Sequence, residues 1–239
     1  MTERMLKQLN GVGGSLKELR QPYEAHFREL GEQFQPRRSR FSKGKDHKSQ
    51  EQVNRKIINS RPRLALRTMQ SGMHTGVTSP ARPWFRLIPQ DPGLKEHAPV
   101  KEHFQSAQRE MRQLLQSSGL YTVLHTLWGD LGLYGYDAAI IEDDDRTGLY
   151  GQALVPGEYW IAANGRGMVD TLYREVNMTV KQVVGKFVYR NDPSATPDWS
   201  TVTEAVKRLW ANDKVGEKVP VSQLIMTREE RETRSPTSE

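Results

Sequence analysis

The sequence predicts an α+β fold, in which N-terminal helices are followed by a small antiparallel sheet with further helices. Up to Tyr134 the apolar residues recur at intervals of three and four, which is the period of a helix. From Asp137 onward, short apolar runs and alternation take over, as in strands. Strands do not alternate regularly with helices, so the order differs from that of nucleotide-binding α/β folds.

The first predicted helix opens at Ser15, which has the spacing of a capping box with Glu18. Pro36 is expected to end it. Pro22 lies inside the pattern, and we expect it to kink the helix or to begin a fresh first turn. The apolar side chains of this helix share one face, which is expected to pack against the rest of the protein.

Three more helices are expected before the change of period. The second opens at a cap and proline in residues 59–62, and the third starts near Pro99. The fourth covers Leu120–Tyr134, and its apolar residues do not fit a single stripe, so we expect it to be among the most buried elements. Residues 84–88 are predicted to form a short strand between the second and third helices.

Short strands dominate the region after Asp137. The turn cluster at 164–167 precedes an alternating run and gives the strongest hairpin signal in the chain. Thr179 is predicted to cap a short helix, and 201–204 has the spacing of a capping box that opens another helix. The remaining strand candidates are residues 138–141, 149–155, 158–162 and 219–226.

Positive charge is concentrated in one stretch of the chain. The whole sequence carries a formal net charge of +6, whereas residues 36–67 contain eleven cations and two acids and carry +9. A basic stripe on a mildly acidic body predicts a polyanion or an acidic protein as partner. Arginines fork onto phosphate oxygens, and Phe41 and a nearby glycine would let the loop follow a nucleic-acid backbone. The alternative is a solvated loop that keeps the protein soluble.

Composition excludes several classes of protein. The chain has no cysteine, so disulfides, thiolate metal sites and cysteine nucleophiles are excluded. No apolar run approaches the roughly 20 residues needed to cross a bilayer, and the N-terminus lacks the apolar stretch of a signal peptide. We therefore expect a soluble protein that does not enter the membrane.

Motifs that could carry chemistry are weak. Residues 11–15 are glycine-rich, but they lack the ending of a phosphate-binding loop and the strand that would precede one. The acidic run 142–145 has oxygen ligands for a hard cation but lacks the spacing of a calcium loop, so a solvated turn is favoured. The histidines show no metal-ligand spacing. We expect no cofactor, no metal site and no enzymatic activity.

Several sequence blocks resemble, in the same order, those of head-to-tail connector (portal) proteins of short-tailed bacteriophages. The blocks are QPRRSRF at 35–41, LALRTMQSGM at 64–73, TSPARPWFRL at 78–87, VPGEYW at 155–160 and VDTLYRE at 169–175. The similarity runs from about Leu16 to Thr227.

The resemblance implies a structural subunit that performs no covalent chemistry. In that family, twelve subunits form a ring at one vertex of the capsid. Double-stranded DNA is packaged and ejected through its channel, terminase docks on it, and tail adaptors bind below. The partners implied are thus further copies of the chain, DNA, terminase, the capsid or scaffold protein and a tail adaptor. The implied location is the virion, with assembly in the host cytoplasm.

The resemblance also implies a domain organisation. We expect a flexible N-terminus at 1–14, a portal wing-like domain at 15–227 that includes a basic loop at 35–51, and a polar C-terminal tail at 228–239. Family members are longer, so their stem and clip regions would lie beyond Glu239.

In a ring, the basic stretch of each subunit would repeat to form a positive belt. We expect the loop cations to contact an outside polyanion or partner, and these are Arg37, Arg38, Arg40, Lys43 and Lys45. We expect the cations of the second helix to contact the neighbouring subunit, and these are Arg61, Arg63 and Arg67.

Two alternatives belong to other functional classes. One is a nucleic-acid-binding accessory protein that uses the basic segment alone. The other is a nuclease or ligase with a carboxylate metal site at residues 143–145.

Overall fold

The computed structural model describes residues 3–41, 57, 59–191, 194 and 196–227. The chain divides into two compact units. Met1–Glu24 and Glu158–Glu239 form one, which we call the sheet unit, and Ala25–Gly157 forms the other, which we call the helical unit. Helices and antiparallel strands are combined, so the predicted α+β class is confirmed, although the strands form two small sheets.

Helix α1 (Glu3–Phe34) contributes its first part to the sheet unit and its last part to the helical unit. The helical unit continues with α2 (Arg61–Val77), a 3₁₀ turn (Pro92–Leu94), α3 (Ala98–Ser117), α4 (Leu120–Tyr134), β1 (Ala139–Asp144) and β2 (Gly148–Ala153). The sheet unit holds β3 (Tyr159–Ala163), β4 (Val169–Thr179), α5 (Val180–Val183), a π turn (Val184–Val188), a 3₁₀ turn (Trp199–Thr201), α6 (Glu204–Ala211) and β5 (Lys218–Ile225). Among the described residues, no helix is both long and apolar enough to cross a bilayer.

The predicted start of α1 at Ser15 is wrong, because the helix already begins at Glu3. Ser15 lies inside the helix, where its Oγ donates to the carbonyl of Gly11 at 3.2 Å instead of capping. Gly13 does not break the helix. A Cβ at Gly13 would lie 2.5 Å from Cζ of Tyr173, so the missing side chain permits a close approach to β4. Residues 3–14, expected to be flexible, are therefore helical.

The end of α1 is confirmed, because the helix stops at Phe34, before Pro36. Pro22 does not start a new helix and lies within the continuous one. The apolar face expected on α1 is only partly buried against other described residues of the protein. Leu16 is buried, whereas Leu19 is 68% exposed and Tyr23 is 60% exposed.

The sheet unit is built on an antiparallel sheet in the order β3–β4–β5. The predicted turn at 164–167 joins β3 to β4, with the Asn164 amide donating to the carbonyl of Met168 at 2.8 Å. Trp160, Tyr173 and Leu16 form a core between this sheet and α1. A second core of valines joins α5, the π turn and α6, and its members are Val180, Val183, Val184, Val188 and Val206.

Two helix starts in the sheet unit test the predicted caps. Thr179 caps α5 as expected, and together with Gln182 it makes a complete capping box. Helix α6 begins at Glu204, but the capping box predicted for 201–204 is wrong. Thr201 Oγ1 donates instead to the carbonyls of Asp198 at 2.8 Å and Phe187 at 3.0 Å. These bonds belong to the preceding turn and leave the hydroxyl unavailable to the helix.

In the helical unit, the short strand predicted at 84–88 is wrong, since this segment has no regular secondary structure. Its polar groups bond to side chains of neighbouring helices. The Leu87 amide donates to Gln108 Oε1 at 3.4 Å, and Trp84 Nε1 donates to the Tyr121 hydroxyl at 3.1 Å. The Leu87 amide, which would donate to a partner strand in a sheet, thus donates to a helix side chain.

Helix α4 packs against α2 and against β2, in agreement with its predicted central place. The buried residues of α4 are Leu120, Gly129, Asp130 and Tyr134. Leu127 is only partly buried, and Leu131 is 38% exposed. The expectation that α4 is among the most buried elements is met only in part, because four of its fifteen residues are buried and two of these four are Gly129 and Asp130.

Candidate interaction surfaces

The described part of the basic loop is fixed to helix α4 by a buried ion pair. Asp130 is completely buried, and Arg38 donates to its Oδ2 from Nε at 2.8 Å and from Nη2 at 2.6 Å. Gln35 donates to the other carboxylate oxygen at 2.7 Å. Arg38 Nη2 also donates to the carbonyl of Leu154 at 2.9 Å. A buried carboxylate needs such partners, because desolvation makes an isolated charge very unfavourable.

An aromatic cluster holds the next turn of the loop. Phe41 is buried, and its ring centroid lies 5.2 Å from that of Tyr134 and 5.3 Å from that of Phe27. Phe41 therefore packs inside the helical unit, and the expectation that it helps the loop follow a nucleic acid is wrong. Burial raises the pKa of Tyr134 to about 12, and the charge of nearby Asp130 adds to the rise.

Gly157 makes the close passage of this loop possible. Its φ is +101°, and a Cβ at this position would lie 2.6 Å from the carbonyl carbon of Arg40. The Arg40 amide donates to the carbonyl of Pro156 at 2.9 Å. Gly157 lies within the VPGEYW block and Arg40 within the QPRRSRF block, so these two blocks meet in the structure.

The five loop cations predicted to contact an outside partner have different environments. Arg37 is exposed, and Arg40 is partly buried. Arg38 uses its guanidinium within the chain, so it is a structural residue and does not fit the predicted role. Lys43 and Lys45 lie outside the described residues.

The cations predicted for a subunit interface lie on α2, as expected. Arg61 and Arg67 are exposed, and Arg63 is partly buried. The helix begins at Arg61, whose amide donates to Asn59 Oδ1 at 2.9 Å. Leu64 lies between these arginines and is 66% exposed.

Residues 142–144 of the acidic run end strand β1 and only Asp145 begins the turn to β2, so the interpretation of the whole run as a turn is wrong for its first three residues. Asp144 accepts hydrogen bonds from the Thr147 amide at 2.8 Å and from its hydroxyl at 2.7 Å. These bonds lower the pKa of Asp144. Within the described residues, no group of three or more histidines or acids is arranged to hold a metal ion.

Sequence reasoning missed the importance of two groups in the helical unit. Asp130 is the only acid in the apolar helix α4, and this isolation was a usable signal of a buried partner. The other group is the contact between His74 and His125, whose ring centroids lie 5.4 Å apart across α2 and α4. Burial, followed by the proximity of His125, lowers the pKa of His74.

Comparison with known proteins gives consistent matches. Residues 6–239 match the family model described as bacteriophage head to tail connecting protein. The chain is 35% identical over 223 residues to the portal protein of Salmonella phage epsilon15, covering 93% of this chain and 37% of that protein. It is also 35% identical over 215 residues to the probable portal protein of Bordetella phage BPP-1, covering 86% of this chain and 38% of that protein. The chain thus spans less than two fifths of the length of these relatives.

Proposed function

Because the chain belongs to the bacteriophage head-to-tail connector family, we propose that it is a structural subunit of a phage portal ring. The ring stands at one vertex of the capsid and forms the channel for packaging and ejection of double-stranded DNA. Terminase and the tail attach to it. The observation that carries the proposal is the similarity to two phage portal proteins over more than four fifths of this chain.

Ring formation is the first test of this function. The purified chain is expected to give ring-shaped particles with a central hole in negative-stain electron microscopy. Light scattering is expected to give a mass that is a whole multiple of the 27.4 kDa chain. A protein that stays monomeric at every concentration would contradict the proposed function of this chain.

The basic loop supplies the proposed contact with an outside polyanion, which is DNA or an acidic capsid surface. Because Arg38 is bound to Asp130, the proposal now rests on Arg37, Arg40, Lys43 and Lys45. Contacts with phosphate release counterions, so each contact steepens the dependence of DNA affinity on salt, by about 0.9 in the logarithmic slope.

A quadruple variant tests the loop contact. Changing these four residues to Ser, with Arg38 retained, is expected to weaken binding to a DNA duplex. The logarithmic slope of affinity against salt concentration should become shallower, by up to the amount that about four phosphate contacts contribute. Circular dichroism checks that the variant is folded. The control is Arg109→Ser, which removes an exposed cation of α3. Equal DNA binding by the quadruple variant and the control would favour a solvated loop without a partner.

We do not expect this chain to catalyse a reaction. The energy for packaging would come from the separate terminase. Assays for ATP hydrolysis and for DNA cleavage, with and without Mg²⁺, are expected to give no turnover. Turnover that disappears when Asp143, Asp144 and Asp145 are changed to Asn would support the nuclease or ligase alternative. The comparisons give no support to the other alternative, an accessory protein that only binds nucleic acid.

A further inference from the structure

One face of helix α2 combines positive charge with an exposed apolar side chain. Arg61, Leu64 and Arg67 are spaced three residues apart, so neighbouring members of the set lie close together on the helix surface. All three are exposed, and Leu64 is 66% exposed. Residues 61–77 contain three arginines and no acid, a formal charge of +3. Among the described residues, no carboxylate forms an ion pair with Arg61 or Arg67.

The β1–β2 hairpin presents a surface of opposite charge. Residues 139–153 contain four acids and one arginine, a formal charge of −3. Asp143 and Asp145 are exposed. Tyr150 is 50% exposed and pairs with Glu142 on the sheet face away from α4, whereas Asp143 pairs with Leu149 on the face of Gly151, which meets α4. The exposed acids Asp143 and Asp145 therefore form an acidic surface at the end of the hairpin that does not include Tyr150.

Helix α4 separates these two surfaces. On the side of α2, a Cβ at Gly129 would lie 2.9 Å from Cδ of Gln70. On the side of the hairpin, a Cβ at Gly151 would collide with Leu120. Leu120 and Gly129 are nine residues apart, and at about 100° per residue they point in opposite directions from the helix axis. The α2 face and the hairpin thus lie on opposite sides of one compact unit.

We propose that the α2 face of one copy binds the β1–β2 hairpin of the next copy. Arg61 and Arg67 face Asp143 and Asp145 of the neighbour. A contact between two different surfaces on opposite sides of a subunit is heterologous, and its repetition generates a closed ring or an open filament. This inference rests on the proposed ring assembly, and it names the surfaces that the ring would use.

Charge complementarity favours a second copy over another occupant. The two surfaces carry +3 and −3. DNA would suit the α2 face but would be repelled by the hairpin. One interaction between copies accounts for both surfaces.

Charge reversal tests the interface. The first variant, Arg61→Glu with Arg67→Glu, makes the α2 face acidic. The second, Asp143→Lys with Asp145→Lys, makes the hairpin basic. Each variant alone is expected to self-associate at least about tenfold more weakly than the wild type, because like charges then face one another. Analytical ultracentrifugation measures the association, and circular dichroism checks that both variants are folded.

A mixture of the two variants gives the decisive result. In an alternating assembly every acidic α2 face meets a basic hairpin, and every basic α2 face meets an acidic hairpin. Equimolar mixing is therefore expected to restore association to within about threefold of the wild type. The control matched to the first variant is Arg109→Glu with Arg166→Glu, which lowers the net charge by the same amount at exposed sites elsewhere and should leave association unchanged.

The outcomes separate this interface from the proposed function. If the wild type forms rings while either reversed variant also assembles normally, this interface is wrong and the portal function stands. Failure of the mixture to recover association would also overturn the pairing of these two surfaces. A wild-type chain that never associates contradicts the proposed function and the interface with it.

Discussion

The sheet unit and the helical unit each hold an arginine against their interior, but they balance its charge differently. In the helical unit, Arg38 donates two hydrogen bonds to the fully buried carboxylate of Asp130. In the sheet unit, Arg20 lies over Trp160, with Cζ 4.3 Å from the ring centroid. Arg20 also donates to the carbonyl of Tyr159 at 2.7 Å and to Glu24 at 3.0 Å.

The difference shows which group each unit depends on. Asp130 cannot reach water, so its partners must come from the protein, and the loop must close over it. Arg20 shares its charge among a ring, a carbonyl and a carboxylate, so losing one partner leaves the others. We therefore expect the helical unit to be more sensitive to a single substitution at its ion pair.

Asp130→Ala should have the largest effect. It leaves the partly buried guanidinium of Arg38 without its carboxylate, and breaking a buried pair costs up to about 3–5 kcal/mol. The free energy of unfolding, measured by urea denaturation, should fall by this amount. The control is Asp143→Ala, an exposed acid in the same unit, which should change it by less than about 0.5 kcal/mol. Similar losses in both variants would show that the ion pair does not support the loop.

Arg20→Ala should have a smaller effect on the sheet unit. It removes hydrogen bonds to Tyr159 and Glu24 and the contact with the Trp160 ring, with an expected cost of about 1.5–3 kcal/mol. Arg20→Lys keeps the charge but loses the planar fork, so it should recover only part of this stability. The same urea titration, followed by tryptophan fluorescence, measures both. If Arg20→Ala lost more stability than Asp130→Ala, the sheet unit would be the more sensitive of the two units, contrary to our expectation.

Alkaline pH should reveal the buried tyrosine beside the ion pair. The pKa of Tyr134 is raised to about 12 in the folded protein, against 10.0 ordinarily. Between these values the unfolded chain loses the phenolic proton first, so stability falls as pH rises. Tyr134→Phe should lose less stability between pH 10 and pH 12 than the wild type. If the free energy of unfolding falls with pH equally in the two proteins, the ionisation of Tyr134 does not contribute to the loss of stability.

A surface ion pair should give the smallest effect. Lys101 donates to Glu96 at 3.0 Å, and both side chains are largely exposed. Exposed pairs contribute little because water and salt screen them, so Lys101→Ala should change the free energy of unfolding by less than about 0.5 kcal/mol. Thermal melts at low and high salt should barely differ between the variant and the wild type. A loss approaching that of Arg20→Ala would show that the exposure of an ion pair does not determine how much it contributes to the free energy of unfolding.

Caps show how far local sequence reasoning reaches. The Thr179 cap was predicted and is present, because both of its hydrogen bonds join residues three apart. The same type of pattern failed at Ser15 and at Thr201. At Ser15 the helix continues into a close contact between Gly13 and Tyr173, and at Thr201 the hydroxyl bonds back to Phe187. A capping pattern is thus decided by sequence only when no distant contact competes.

By itself, the sequence determined the class of fold, the bounds of most elements and the turn at 164–167. These follow from hydrophobic period and backbone preferences, which act over a few residues. The sequence blocks also identified the family. Only the tertiary structure decided that Arg38 points inward, because its partner Asp130 is 92 residues away. A buried polar group takes whichever partner the packed chain brings to it, and this choice cannot be read from neighbours in the sequence.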